Sequence, residues 1–368
     1  MTQKEIIDFL ENDFPTSLQE DYDNTGLTLG DTSKKCTGIL ITLDITLEVL
    51  QEAKAKKCNF IISHHPLIFK GLKKITPENE VGKILFFAMR NNLTLYAIHT
   101  NLDNVLEGVS KSIADRLGLE FKNLKVLKPR QNLFYKLITF VPQKFAEKVR
   151  TELFAIGIGE IGNYSECSFN SQGEGTFKPS LKSSHPFVGK KGLRHIEPEI
   201  KIEILLPKTL TSKALNTLFK HHPYEEPAYD LIPLGNSSPL YGSGFIADLK
   251  TPISILPFLK HIKKKFQLKI IRHSILCKKE IKRIALCGGS GAFLIDEAIK
   301  QKADIYITGD LKYHDFFLSE SKIILADIGH FESEISCCKL LENKLKKKYN
   351  NFAVLCSEKP SNGVHYFN

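Results

Sequence analysis

Histidines and carboxylates recur at four places where a strand pattern ends. The run 59–63 leads into His64-His65-Pro66, and the run 94–98 leads into His99-Thr100-Asn101-Leu102-Asp103. The run 303–308 ends in Gly309-Asp310, with Lys312 and His314 close behind. The run 322–326 leads into Asp327-Ile328-Gly329-His330 and then Glu334. Imidazole nitrogen beside carboxylate oxygen suits a borderline divalent cation such as zinc, iron(II) or manganese. His330 and Glu334 are four apart at an expected helix start, so both side chains lie on one helical face. Three His and two carboxylates exceed what one open catalytic ion requires. They suit two ions sharing a carboxylate, which can activate a water and hold an oxyanion. Each signal alone has an ordinary explanation: an exposed or hydrogen-bonded His pair, an Asp capping a helix, or an i, i+4 surface contact. Their coincidence argues for chemistry, because ligands in open α/β sheets sit just past the carboxyl ends of strands.

Those positions require a particular frame. Short apolar runs at 38–43, 59–63 and 94–98 alternate with helical patterns at 46–57, 80–91 and 105–117, which is the mark of βαβ units around a buried sheet. The character changes near 125. Strand 135–141, helix 143–156, a glycine- and turn-rich stretch 157–192, strand 201–206, helix 211–221 and strand 228–234 follow the order of a ferredoxin-like split unit. Pro233 to Pro239 then marks an exit linker. From 241 the βα alternation resumes, with strands expected at 243–249, 268–272, 282–287, 303–308 and 322–326. Helices fit 253–265, 291–301, 312–320 and 331–348. The expected architecture is therefore α/β: a two-part main domain at 1–126 and 237–368, with an α+β domain inserted at 127–236.

Two further motifs have competing readings. His221-His222-Pro223 repeats the His-His-Pro string, but it ends a helix of the insert and reads as a helix stopped by proline. Gly288-Gly289-Ser290-Gly291 lies between a strand and a helix. It serves either close backbone approach to an anion at a helix N-terminus or turn geometry alone.

Composition narrows the class without choosing the function. The chain has 368 residues, 42% hydrophobic and 25% charged, which is ordinary for globular domains and excludes wholesale disorder. The N-terminus carries charges where a signal peptide needs an apolar stretch, and no apolar run is long enough to span a bilayer. A cytoplasmic protein without membrane partners is the expectation. Eight cysteines form no CxxC pair, so neither a zinc ribbon nor a thioredoxin site is expected. The net charge of +10 permits nucleic acid or an anionic metabolite as partner. Its lysine clusters at 54–57, 262–265 and 345–348 are scattered and do not form a polybasic anchor.

The motifs together are similar to those of the NIF-three-like dinuclear metal-centre family, whose members are also called GTP cyclohydrolase type 2 homologues. The resemblance rests on Ile62-Ser63-His64-His65-Pro66-Leu67-Ile68-Phe69-Lys70-Gly71, on Asp23-Asn24-Thr25-Gly26-Leu27 and on His99 to Asp103. It continues through Thr308-Gly309-Asp310-Leu311-Lys312-Tyr313-His314-Asp315 and Gly329-His330-Phe331-Glu332-Ser333-Glu334. These motifs run in order through both outer segments. The family usually has Trp before its Asp-Asn; Tyr22 stands there in this chain. The insert resembles the PII/CutA-like domain of the longer bacterial members, through 157–165 and 222–230.

What the resemblance implies is a toroidal homo-hexamer with two divalent metal ions per subunit (zinc, iron or manganese). The implied ligands are His64, His65, Asp103, His330 and Glu334. The expected activity is metal-dependent hydrolysis of a small anionic substrate, a nucleotide or other phosphorylated metabolite. His99, Asp310 and His314 are the candidate proton carriers or partners of the ligands. The rival expectation is a non-catalytic ring that binds nucleic acid or a metabolite, with structural or sensory metals.

Overall fold

The computed structural model describes residues 1–367. They form a mixed α/β fold with three sheets, divided between two compact units. The first unit combines Met1–Arg130 with the chain from Pro239 onward, and the second is Gln131–Ser238.

The first unit holds two sheets. In one, the strands lie in the order Gly26–Leu29, Thr94–Ala97, Phe60–Ser63, Ile39–Thr42, Val354–Cys356. All neighbours are parallel except the first pair. Ile39–Thr42, Phe60–Ser63 and Thr94–Ala97 are buried at every position, which is why they read as unbroken apolar runs. One face carries Leu40, Ile61 and Leu95 against Val49, Leu50 and Ala53 of the helix Leu47–Ala55 and Ile84 and Ala88 of the helix Glu80–Arg90.

The other sheet runs Arg272–His273, Ile324–Asp327, Ile305–Gly309, Glu280–Ser290, Gly242–Ser254, Phe121–Pro129. Its central neighbours Ile324–Asp327, Ile305–Gly309 and Glu280–Ser290 are parallel. Phe121–Pro129 pairs with Gly242–Ser254 and contributes Leu127 to the core, so the contiguous second unit begins beyond it. Two expected elements differ. The strand read at 268–272 is reduced to Arg272–His273, because the helix Ile255–Phe266 closes with Gln267 in the left-handed region and Leu268 N–H bonded to Lys263 C=O. The helix read at 312–320 is a 3₁₀ segment, Tyr313–Ser319.

The second unit places Phe134–Pro142, helix Ala146–Phe154, Ser168–Phe177, His195–Pro207, helix Thr211–His221 and Tyr229–Leu234 in that sequence order. Its four strands are antiparallel, ordered Ser168–Phe177, His195–Pro207, Phe134–Pro142, Tyr229–Leu234. Leu137, Val141, Ile202, Ile204 and Leu206 pack on Val149, Leu153, Ala214 and Leu218 of the two helices. Ring nitrogens of His222 are bound to Phe140 C=O at 3.0 Å and to Tyr224 N–H at 3.0 Å, so the second His-His-Pro string is a structural turn.

Candidate metal centre

Strand ends from both sheets of the first unit converge. His64 and His65 extend Phe60–Ser63; their N–H groups continue the ladder to Thr42 and Leu43 C=O at 3.0 Å. Asp103 closes the short helix Thr100–Asp103, and His330 and Glu334 bound the helix His330–Glu334 after Ile324–Asp327. The expected i, i+4 juxtaposition is present, with His330 Nε2 3.0 Å from Glu334 Oε2.

Glu334 is almost fully buried and turns its two oxygens to different partners. Oε2 stands 2.9 Å from His65 Nε2 and 3.0 Å from His330 Nε2. Oε1 lies 3.8 Å from His64 Nε2, which is itself 3.7 Å from Asp103 Oδ1. Two triads able to hold a metal ion result: His65, His330 and Glu334, and His64, Asp103 and Glu334. A third grouping joins His64, His65 and His99. In the second triad, His64 Nε2 and Asp103 Oδ1 are buried without any hydrogen-bond partner. Buried polar atoms are rarely left so.

The three inward-facing imidazoles are each held from behind. His64 Nδ1 is 2.9 Å from Ile98 C=O, His65 Nδ1 is 2.7 Å from Asp44 Oδ1, and His330 Nδ1 is 2.7 Å from Asp310 Oδ2. An oxygen at Nδ1 fixes the proton there and leaves the Nε2 lone pair for a ligand role. Ser290 Oγ in turn donates to Asp310 at 2.6 Å. His99 is treated likewise: its Nδ1 meets Asp23 Oδ1 at 2.8 Å, and Asp23 also accepts from Thr100 N–H, Thr100 Oγ1 and Thr25 Oγ1.

Charge is strongly redistributed in this metal-free pocket. Burial opposes the charged form of His65, but bonds to Asp44 and Glu334 outweigh it and push its pKa up to about 10. Burial is likewise outweighed at His330 by Glu334 and Asp310, which carry it to about 9. Glu334, despite burial, is held well below the carboxylate range by the three imidazoles, whereas burial raises Asp103. Burial of Asp23 is overcome by His99 and Thr100, so its carboxyl is lowered. Without an ion, the pocket thus holds protons on His65 and His330 beside the Glu334 carboxylate.

The family model Duf34/NIF3 (NGG1p interacting factor 3) matches residues 1–362. The chain belongs to the Duf34/NIF3 family. A GTP cyclohydrolase 1 type 2 homolog from Halalkalibacterium halodurans is 38% identical over 360 residues, covering 96% of this chain and 95% of that protein. A Staphylococcus epidermidis protein of the same name is 35% identical over 362 residues, covering 97% and 98%. Among solved structures, a Bacillus cereus protein related to NIF3 superposes with a TM-score of 0.82 at 34% identity, over 100% of this chain and 99% of that one.

In this Duf34/NIF3 chain, the five residues named as ligands from the motifs lie together, with His99 at their side. Asp310 reaches the cluster through His330. His314 does not join it; it is exposed on Tyr313–Ser319, its ring clustered with those of Tyr313 and Phe317. Two contributors were missed. Asp44 follows the run 38–43 and Asp23 heads the Asp-Asn-Thr-Gly motif, so strand-end position and motif membership were available signals. In the glycine-rich loop, Gly289 has φ +62°, and a Cβ there would stand 2.1 Å from Glu334 Oε1. The N–H groups of Gly289 and Gly291 are already bound to Ser333 Oγ and Thr308 Oγ1. Close approach to Glu334, not an anion cradle, accounts for the glycine at 289.

Proposed function

We propose that the chain is a dinuclear metal-binding protein that hydrolyses a nucleotide or another phosphorylated metabolite. One observation carries the reading: two ligand triads share Glu334, and one of them contains two buried polar atoms with no other partner. In this reading His64, His65, Asp103, His330 and Glu334 would hold two divalent ions. The donor set fits: three Nε2 atoms with their Nδ1 partners in place, and two carboxylates. Zinc, iron(II) and manganese all accept such a set. Bound divalent ions supply Lewis acidity and acidify water toward neutral pH.

The remaining work falls to the chain. Asp44, Asp310 and the Ile98 carbonyl orient the imidazoles. His99, anchored through Nδ1 by Asp23, is placed to accept or deliver a proton at its other nitrogen. The name borne by the relatives suggests GTP, with hydrolytic opening of the purine imidazole ring and release of formate. A homo-hexamer in the cytoplasm, with the second unit as an inserted ferredoxin-like domain, completes the proposal. Its strand and helix order supports that last point, and no helix among the described residues is long and apolar enough to cross a membrane.

Elemental analysis of purified protein is expected to give two ions per chain, with a large loss in a His64→Ala/His330→Ala variant. Full occupancy in that variant overturns the ligand assignment. Incubation with GTP after loading with each metal in turn tests the substrate; no formate with any of them removes GTP.

A further inference from the structure

Residues 64–79, from the paired histidines to the helix Glu80–Arg90, lie outside helices and strands. The loop is pinned at both ends. Leu67 packs on the core of the first sheet, and Ile68 C=O accepts from Asn24 Nδ2 at 2.6 Å. At the far end, Thr76 C=O lies so close to Gly82 that a Cβ there would stand 1.7 Å from it. Between these pins every residue from Phe69 to Ile75 is exposed.

That exposed stretch interleaves two kinds of side chain. Phe69, Leu72 and Ile75 are 49%, 43% and 50% exposed. Lys70, Lys73 and Lys74 stand among them, and none forms an ion pair among the described residues. Lys83, on the next helix, is by contrast met by Glu80 at 2.6 Å. Glu78 is the one acid in 66–79. Apolar surface left in water is unfavourable, and cations without counterions attract anions.

The stretch begins at the metal cluster. The Phe69 ring meets His99 edge-on at 5.4 Å and 89°, and the His99 ring lies 5.2 Å from His64 and 5.4 Å from His65. A second exposed ring comes from another turn: Tyr22, 72% exposed, precedes the Asp23 that holds His99. Asn24 of that turn is the residue bonded to Ile68, so the two ring-bearing turns are fixed to one another. The lysines follow Phe69 along the chain. A ligand that uses both features carries a planar ring near the cluster and negative charge beyond it. A nucleotide has that form, since bases stack on aromatic side chains and lysine pairs with phosphate.

We propose that the loop 66–79 recognises a mononucleotide: Phe69 and Tyr22 take the base beside the metal cluster, and Lys70, Lys73 and Lys74 take the phosphate. This rests on the function proposed above and sharpens it, because the base and not the phosphate then lies beside the ions. Calorimetric titration of the full chain, incubated with zinc, against GMP, guanosine and ribose 5-phosphate tests it. GMP should bind at one site per chain, about tenfold or more tightly than either fragment. Phe69→Ala and Tyr22→Ala should each weaken GMP and guanosine about tenfold and leave ribose 5-phosphate unchanged. Phe69→Tyr should keep the affinity. A Lys73→Ala/Lys74→Ala variant should weaken GMP and ribose 5-phosphate, spare guanosine and flatten the salt dependence of GMP binding. Melting curves and elemental analysis check that each variant is folded and equally loaded with metal. Ribose 5-phosphate binding as tightly as GMP, guanosine affinity unmoved by Phe69→Ala, or no heat from GMP overturns the proposal. So does a single-stranded RNA decamer that binds where GMP does not. Two ions per chain without GMP binding overturns the recognition loop and spares the metal centre. GMP binding with the expected pattern of variants, in a chain that takes up no metal, supports the loop and overturns the metal centre.

Discussion

His64 Nε2 faces Asp103 Oδ1 across 3.7 Å, and neither atom has a hydrogen-bond partner although both are buried. A buried unsatisfied group costs about 1–3 kcal/mol. A cation between them satisfies both. Asp103→Asn is therefore expected to lose one ion per chain, whereas Glu334→Gln, which alters the shared carboxylate, should lose both. Elemental analysis after dialysis distinguishes these outcomes; equal loss in the two variants contradicts the sharing.

Asp44 and Asp310 act behind the imidazoles. Removing their charge with Asp44→Asn or Asp310→Asn should weaken metal affinity about 10–100-fold, the usual effect of such partners. The number of ions bound at saturation should not change. Competition against a fluorescent chelator reads the affinity. A loss of stoichiometry would instead mark these carboxylates as direct ligands.

Metal binding should be steeply pH-dependent. His65 and His330 are raised to about 10 and about 9 in the metal-free protein, so at neutral pH an ion must displace their protons. Apparent affinity then rises as pH rises, by about tenfold per pH unit for each proton displaced. The same raised pKa values stabilise the metal-free fold fully below the ordinary imidazole value of 6.5, and that contribution is lost as pH climbs through 9 to 10. The gap in Tm between loaded and metal-free protein should therefore widen from about pH 6 to about pH 8.5. A constant gap would sink the idea.

Gly289→Ala tests the close approach at the cluster. The backbone there has φ +62°, and the new methyl would stand 2.1 Å from Glu334 Oε1. Strain of about 1–3 kcal/mol is expected, together with reduced metal occupancy. Gly71→Ala is the control, since a Cβ there meets nothing within 4 Å. Denaturant midpoints compare the two.

Glu52 ties the chain's late segment to the first sheet's helix. It accepts from Lys56 at 2.7 Å, from Ser357 Oγ at 2.5 Å and from Glu358 N–H at 3.1 Å. Burial opposes ionisation, yet these donors lower its pKa below 4.5. The stabilisation is present above that value and is lost as pH falls through the lowered one. Glu52→Gln should cost about 1–2 kcal/mol near neutral pH and much less in acid. Urea midpoints at the two pH values measure the difference.

Much of the site was legible because a buried parallel strand reads as an apolar run, and its end is then easy to mark. His64, His65, Asp103, His330 and Glu334 were all reachable that way. Of the partners of their Nδ1 atoms, Asp310 behind His330 was named among the candidates, whereas the pairing of Asp44 with His65 was not legible. Asp44 pairs with His65 across 21 positions and Asp23 with His99 across 76, distances that no periodicity spans. Spacing placed Glu334 on the face of His330, but only the opposed sheets show that its second oxygen serves His64. Boundaries suffered where local chemistry intervened: the left-handed turn at Gln267 consumed an expected strand start. His314 shows the limit of strand-end reasoning, since a few residues past the strand the chain had already turned to solvent.

The contact between His65 and Glu334 joins residues 269 positions apart. A ribosome must therefore finish most of the chain before the cluster can exist. The edge strand Val354–Cys356, which closes the first sheet beside Ile39–Thr42, arrives later still. Contacts so remote in sequence form slowly, because a long loop must close first. Half-made chains carry His64 and His65 with no carboxylate from the far half to meet them. On the proposed reading, metal uptake at the paired triads would follow synthesis of the far half, and nascent chains stalled before residue 334 should bind no shared ion.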